Sequence, residues 1–409
     1  MPDLDVEPRA APLVRGPRAA TVAVFFSHGL LFASWTAHIP QVKDHAGLSV
    51  GALGLALLGA PVGSVVAMLA SARLLPRLGS RRMVRCCLAG YCAAGPLAGL
   101  AGSLPALFAA LFAWGAFQGS LDVSMNTQAV AVERARGRPL MSGFHGCWSL
   151  GTFAGAAAGV AGVAVGMSLT IQLLLLGLPV LIVGETLSAR MLPDASPADD
   201  MSPGTGPGTR PATGRPNRPA RRFSRAVLIL GAIAFASMLC EGASADWASV
   251  YLRGPLHAGA AVAGLGYAAY SLTMVIVRLS GNRLLGRFRV QSVLPVLATL
   301  ACAGFTAGLA AGTGAAAITG FACLGIGLAL IVPTLNSAAG RLPGLSPGAA
   351  IVAVSTCGWL GFVCGPPLIG ELAAATSLPV ALGVIPVLVA FIAVATALTS
   401  HLRAGSEHR

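Results

Sequence analysis

Twelve long apolar stretches follow one another along this 409-residue chain, near 19–40, 50–72, 83–101, 104–131, 141–165, 168–190, 226–252, 258–280, 289–311, 314–338, 349–372 and 377–401. Each is long enough to cross the roughly 30 Å hydrocarbon core of a bilayer as a helix, which takes about 20 residues. Within lipid a spanning segment has to satisfy its own backbone N–H and C=O groups, so such stretches are helices unless a barrel closes. The apolar/polar alternation of barrel strands is missing from them. The expected fold is therefore all-α and integral to the membrane, with twelve transmembrane helices. A charged fraction of 10% and a mean hydropathy of +0.77 exclude an ordinary water-soluble globule. Gly/Ala-rich runs such as Gly151-Thr152-Phe153-Ala154-Gly155 suit close helix contact.

The basic residues set the expected orientation. A balance of 27 Lys+Arg against 14 Asp+Glu would suggest nucleic acid in a soluble protein, but here the arginines sit between apolar spans and no nucleic-acid motif accompanies them. With the N-terminus inside, every Lys and Arg except Lys43 and Arg253 falls on the cytoplasmic side, which predicts a multi-pass plasma-membrane protein with both termini cytoplasmic. The first span reads as a membrane helix rather than a cleaved signal, because it is long, follows Asp3, Asp5 and Glu7, and precedes further spans. The segment 191–225, rich in Pro, Gly, Thr and Arg, has little to bury and is expected to be a disordered cytoplasmic linker. It divides a six-helix half at 19–190 from another at 226–401, with cytoplasmic tails at 1–18 and 402–409. The basic end of the linker, Arg218 to Arg225, either sets topology or touches anionic lipid headgroups.

An internal repeat supports this division. Arg73-Leu74-Leu75-Pro76-Arg77-Leu78 recurs 210 residues on as Arg283-Leu284-Leu285-Gly286-Arg287-Phe288. The same offset carries Asn126 onto Asn336, Cys92 onto Cys302, Cys147 onto Cys357, and the pair Gly151 and Gly155 onto Gly361 and Gly365. Two parallel six-helix repeats about a central cavity is a plan used by secondary transporters, which handle substrate near the membrane midplane.

On these residues the chain resembles the major facilitator superfamily over essentially its whole length. Arg77-Leu78-Gly79-Ser80-Arg81-Arg82 is similar to the second half of the family's loop signature after span two, with Pro76 where the signature has Asp. In the second copy Asn282 stands in Gly281-Asn282-Arg283 where relatives often carry Asp. The resemblance implies that Arg77, Gly79, Arg81 and Arg82, with Arg283 and Arg287, belong to gating loops. Asp122-Val123-Ser124-Met125-Asn126 resembles an acidic motif of the fucose/proton symporter branch. Ser142 to Gly151, Glu241 to Trp247 and Pro333-Thr334 resemble that branch's uncharacterised bacterial inner-membrane members.

The ionisable residues inside spans are the candidates for function, since a charge at the bilayer centre costs at least about 2.5–3.5 kcal/mol. Asp122 lies one helical turn from Asn126, so the amide can bond either the carboxyl or a shared substrate. Its repeat mate is Val332, and an acid on one copy only of a duplicated scaffold favours proton or substrate handling over a structural hydrogen bond. Glu241, His28 and His145 complete the proton-coupling candidates, with His145 placed near the cytoplasmic end where it could join Asp122 or Glu133 in a gate. Asn126, Asn336, Gln118, Trp35, Asp246 and Trp247 are the cavity candidates, Trp247 reading more readily as an interfacial anchor than as a ligand platform. His38 reads as packed and neutral, and Glu185, Arg278 and Glu371 as helix-end groups that snorkel.

The nine cysteines lie in or beside spans without metal or disulfide spacing and are expected to pack as small apolar residues. No P-loop is present, so neither a nucleotide nor another cofactor is expected, and no clustered nucleophile or metal set suggests an enzyme. The reading is a secondary active transporter, monomeric, whose partners are a small-molecule substrate, protons and membrane lipids. A proton-coupled symporter of a sugar or related polar metabolite leads. A proton-coupled exporter of amphipathic compounds is the alternative.

Overall fold

A computed structural model describes residues 15–137, 140–193, 225–339, 341–342 and 347–399. Almost all of the expected linker, most of the N-terminal tail and the whole of the C-terminal tail lie outside these residues. Twelve helical segments are long and apolar enough to cross a membrane. Spans 1 to 6 are Gly16–His45, Val50–Leu78, Ser80–Leu100, Leu104–Arg136, Gly143–Ala164 and Leu169–Ser188. Spans 7 to 12 are Arg225–Arg253, Ala260–Gly281, Val290–Ala311, Gly314–Ala339, Ala350–Ala375 and Leu378–Leu398. Short polar signals set several of these starts. The Ser49, Ser103, Ser168 and Thr313 hydroxyls each accept from the backbone N–H three residues on, capping spans 2, 4, 6 and 10. Gly79, with φ at 79°, turns the chain between spans 2 and 3 in a backbone region that side chains with a Cβ rarely adopt.

The repeat runs through the backbone in the register that the sequence suggests. Helices begin at Arg15, Val50, Ser80 and Leu104, and again at Arg225, Ala260, Val290 and Gly314. Packing partners repeat as well: spans 1 and 5 pair as 7 and 11 do, 2 and 4 as 8 and 10, and 3 and 6 as 9 and 12. The seam of spans 1 and 5 depends on glycine, because a Cβ on Gly151, Gly155 or Gly159 would run into the carbonyl oxygens of Phe26, Leu30 and Ser34. Such stripes let helix backbones approach where lipid offers no hydrophobic drive to associate.

The halves meet along two lines, span 5 against span 8 and span 2 against span 11. An even number of spans puts both termini at one end of the molecule, and the opposite end is the tightly joined one. There Ser249 Oγ donates to Thr36 O at 2.6 Å, and the backbones of Gly54 and Gly370 approach so closely that a Cβ on Gly54 would lie 2.9 Å from Gly370 Cα. Spans 2 and 11 pack mainly through this far-end segment, Val50–Leu57, and part towards the terminus-bearing end. Two interruptions matter for the site: span 1 passes through a 3-10 turn at Thr36–His38, and span 10 breaks between Leu328 and Ile331.

Candidate functional site

One guanidinium joins the two halves. Arg278 of span 8 donates from Nη1 to Ser149 Oγ of span 5 at 2.9 Å and from Nε to the Ala329 carbonyl at 3.2 Å, while Nη2 lies 4.0 Å from Glu241 Oε2 of span 7. Pro333 accounts for the Ala329 contact, since it has no N–H to donate to the carbonyl four residues back and crowds it, so span 10 breaks there and the carbonyl accepts from elsewhere. The 4.0 Å separation is a charge contact rather than a hydrogen bond. Arg278 therefore does not snorkel as its sequence position suggests. Its side chain is 19% exposed and turns inward, because three acceptors from three other spans wait there.

Arg278, Glu241 and Ser149 share a small enclosed void with Trp148, Tyr267 and Tyr270. Its volume, about 10 Å3, is room for one water. Tyr267 and Tyr270 stack with centroids 5.6 Å apart, and the buried Tyr270 hydroxyl bonds no group among the described residues. A polar pocket of this size between two domains can hold a proton and a water, and it can admit a solute only if the Arg278 contacts are exchanged.

Behind Trp148 the first half carries an aromatic stack. Trp148 Nε1 donates to His28 Nδ1 at 2.7 Å. That bond fixes the His28 tautomer, leaving its hydrogen on Nε2, which is buried beside the Gln118 backbone. His28 stacks on Tyr91, Tyr91 stacks on Trp114 at 5.3 Å, and Trp114 meets the buried Trp35 edge-on at 5.9 Å. His28 and Trp35 thus support the ring that faces the void and do not line it. Tyr91, Trp114, Trp148, Ser149, Tyr267 and Tyr270 have no reading as site residues in sequence, because a stack built across five helices leaves no spacing within any one of them.

The remaining candidates separate by place. Asn126 Nδ2 donates to the Asp122 carbonyl at 2.8 Å and to its carboxyl Oδ1 at 3.2 Å, so the pair forms within span 4 and outside the void. Asn336 is half-buried at the equivalent position of span 10, and no hydrogen bond joins it to Asn126 among the described residues. Asp246 lies beyond Glu241 on span 7, within electrostatic range of Tyr267. Trp247 is fully buried, which corrects its reading as an interfacial anchor, since span 7 lies inside the bundle where neighbours cover it. His145 is exposed near the terminus-bearing end, edge-on to Phe25 and within electrostatic range of Arg278. The Glu133 carboxylate caps the start of span 5 by accepting from the Leu140 and Met141 N–H groups at 2.6 and 2.8 Å.

In the loop after span 2, Arg77 ends one helix, Gly79 makes the turn, and Arg81 and Arg82 open the next. Gln128 of span 4, which sequence reading passes over, ties this loop down by donating to Ser80 Oγ at 2.7 Å and the Leu192 carbonyl at 2.9 Å. The second copy is built differently. Arg283 and Arg287 lie within one helix, Ala260–Arg287, and the extended residues Phe288 and Arg289 replace the glycine turn. No group of three metal-binding side chains occurs among the described residues.

Comparison with known proteins agrees with this architecture. The sequence profile of the Major Facilitator Superfamily matches residues 20–346. An uncharacterized MFS-type transporter of Yersinia pestis is 33% identical over 383 residues, covering 92% of this chain and 94% of its own. Among solved structures, a D-xylose-proton symporter superposes with a TM-score of 0.72 at 13% identity, covering 93% of this chain and 96% of its own. The superfamily transporter FucP, in its outward conformation, does so at 0.61 and 17%, covering 94% and 98%. With the profile spanning most of the chain and a relative matched nearly end to end, this multi-pass membrane protein belongs to the major facilitator superfamily of transporters.

Proposed function

We propose that this chain is a proton-coupled symporter of a small polar solute, such as a sugar or related metabolite, and that solute and proton meet at the void between Glu241, Arg278 and Trp148. The observation that carries this reading is Arg278, a single side chain bound to both halves beside an acid within the span-bundle interior. With Glu241 ionised, its charge faces the guanidinium. With Glu241 protonated, that attraction weakens and the Arg278 N–H donors are available to solute oxygens. Binding and protonation then favour the same exchange of contacts, and the halves rock about the seams of spans 5 with 8 and 2 with 11. An aromatic ring held in place, as Trp148 is by His28, suits the apolar face of a sugar or other small ring. The D-xylose-proton symporter, which shares the fold, supports this substrate class.

Asp122 with Asn126 forms a second acidic site off the void, and His28 and His145 flank the path as further proton-handling groups. The arginine distribution supports cytoplasmic termini in a bacterial inner membrane, and a monomer suffices for alternating access. The test is uptake into proteoliposomes under an imposed pH gradient, preceded by a thermal-shift screen of sugars, nucleosides, amino acids and amphipathic drugs. A stabilising polar solute that accumulates only with the gradient is the expected result. Stabilisation by amphipathic compounds alone points to the exporter instead.

A further inference from the structure

Where the seam of spans 1 and 5 reaches the terminus-bearing end, a groove of about 430 Å3 is lined by Arg18, Ala23, Phe26, Arg136, Cys147 and Leu150. That volume lies within the range of about 300–1,000 Å3 common to ligand sites. The groove is distinct from the central void. Ser149 and Thr152 face the void while Cys147 and Leu150 face the groove, and at 3.6 residues per turn these pairs point to different sides of span 5. Leu150 is 49% exposed on the side of span 5 turned away from Ser149 and Thr152, so the groove opens away from the central void.

Its polarity is graded along the membrane normal. Arg18 stands just inside the start of span 1 and Arg136 ends span 4, both at the terminus-bearing ends of their helices, while Ala23 and Phe26 carry an apolar wall further along span 1. The buried Nε of Arg136 has no hydrogen-bond partner among the described residues. A topology signal needs only a positive charge near a helix end, not a guanidinium drawn into a groove with a donor unsatisfied. The repeat supplies an internal control. At the same offset Arg18 becomes Leu228, Ala23 becomes Ile233 and Phe26 becomes Ala236, and Ile233 and Ala236 are buried. Leu228 and Leu360, the mates of Arg18 and Leu150, are more than half exposed, so the second half keeps this face open but places an apolar side chain where the first half places Arg18.

We propose that this groove binds one anionic phospholipid, its phosphate held by Arg18 and Arg136 and an acyl chain laid along Ala23, Phe26 and Leu150. Guanidinium groups match phosphate oxygens with paired N–H donors, and basic pockets between membrane helices suit anionic headgroups. A lipid fits better than a soluble anion because the walls below the arginines are apolar and open away from the central void. The lipid would lie against the turn of span 5 whose opposite side carries Ser149.

The experiment uses the full chain, delipidated in neutral detergent, with phosphatidylglycerol, phosphatidylcholine and inorganic phosphate as probes. Phosphatidylglycerol is expected to raise Tm saturably and phosphatidylcholine is not. Arg18→Gln and Arg136→Gln should each weaken phosphatidylglycerol binding by about tenfold, a loss near 1.4 kcal/mol. Ala23→Phe, which fills the groove with both charges intact, should also lose the shift, whereas Arg225→Gln at the start of span 7 should keep it. An equal shift with inorganic phosphate, no preference over phosphatidylcholine, or wild-type binding in both arginine variants overturns the proposal.

Discussion

A guanidinium in the hydrocarbon layer costs at least about 2.5–3.5 kcal/mol, and Arg278 persists there because Ser149, Ala329 and Glu241 surround it. Removing one member of a buried charge pair costs about 3–5 kcal/mol, largely by stranding the other. Arg278→Gln should therefore lower Tm and stop transport. Glu241→Gln keeps the shape but cannot cycle a proton, so it should retain solute exchange while losing accumulation driven by a pH gradient. Wild-type accumulation by Glu241→Gln would remove that residue from coupling. Asp122→Asn, whose amide can still accept from Asn126, should keep accumulation within about tenfold of wild type, a change of at most 1.4 kcal/mol. Complete loss in Asp122→Asn with Glu241→Gln unaffected would reverse the two roles. Glu241 is legible in sequence because an acid stands out within an apolar span. Arg278 is not, because the groups around it come from three other spans; Pro333 announces only that the Ala329 carbonyl four residues back lacks a backbone donor, not what will reach it.

At the scale of the helix pair, the repeated glycines carry unequal weight. A Cβ on Gly155 would collide with the Leu30 carbonyl, yet a Cβ on its mate Gly365 would meet Leu239 at 3.7 Å, an ordinary contact. Gly155→Ala should therefore force spans 1 and 5 apart and cost about 1–3 kcal/mol, as overpacking does. Gly365→Ala should be near neutral. Thermal unfolding of the two variants side by side checks this, and equal losses would mean that the seams are packed alike. The recurrence of these glycines is readable from sequence, because small residues at a spacing of four mark a close helix contact. Their inequality is not, since it depends on how closely the partner helix approaches: a Cβ on Gly155 would strike a carbonyl, whereas the carbonyl facing a Cβ on Gly365 lies 3.8 Å away. The glycine turn behaves the same way. Gly79 is legible as a special position, but the second copy replaces it with an extended link at Phe288 and Arg289 that no shared motif encodes.

For the molecule as a whole, the duplicated backbone and the unduplicated polar residues divide the work. Helix starts recur at one offset, so two similar bundles can rock against each other, but Glu241 maps onto Leu31, Arg278 onto Met68 and His28 onto Met238. Symmetry supplies the hinge lines, and the departures from it supply the chemistry; the first is visible as a repeat, the second only once the halves are placed together. The tight far end makes this testable. A Cβ built on Gly51 lies 3.2 Å from Ala374 Cβ, a few tenths short of the roughly 3.5–4.5 Å that a disulfide spans. Gly51→Cys with Ala374→Cys, in a background without the nine native cysteines, should cross-link on oxidation and hold spans 2 and 11 together. If the far end has to part for solute to pass, the oxidised protein should bind solute but not transport it, and reductant should restore transport. Unimpaired transport by fully cross-linked protein would show that this end stays shut throughout the cycle and that solute takes another route.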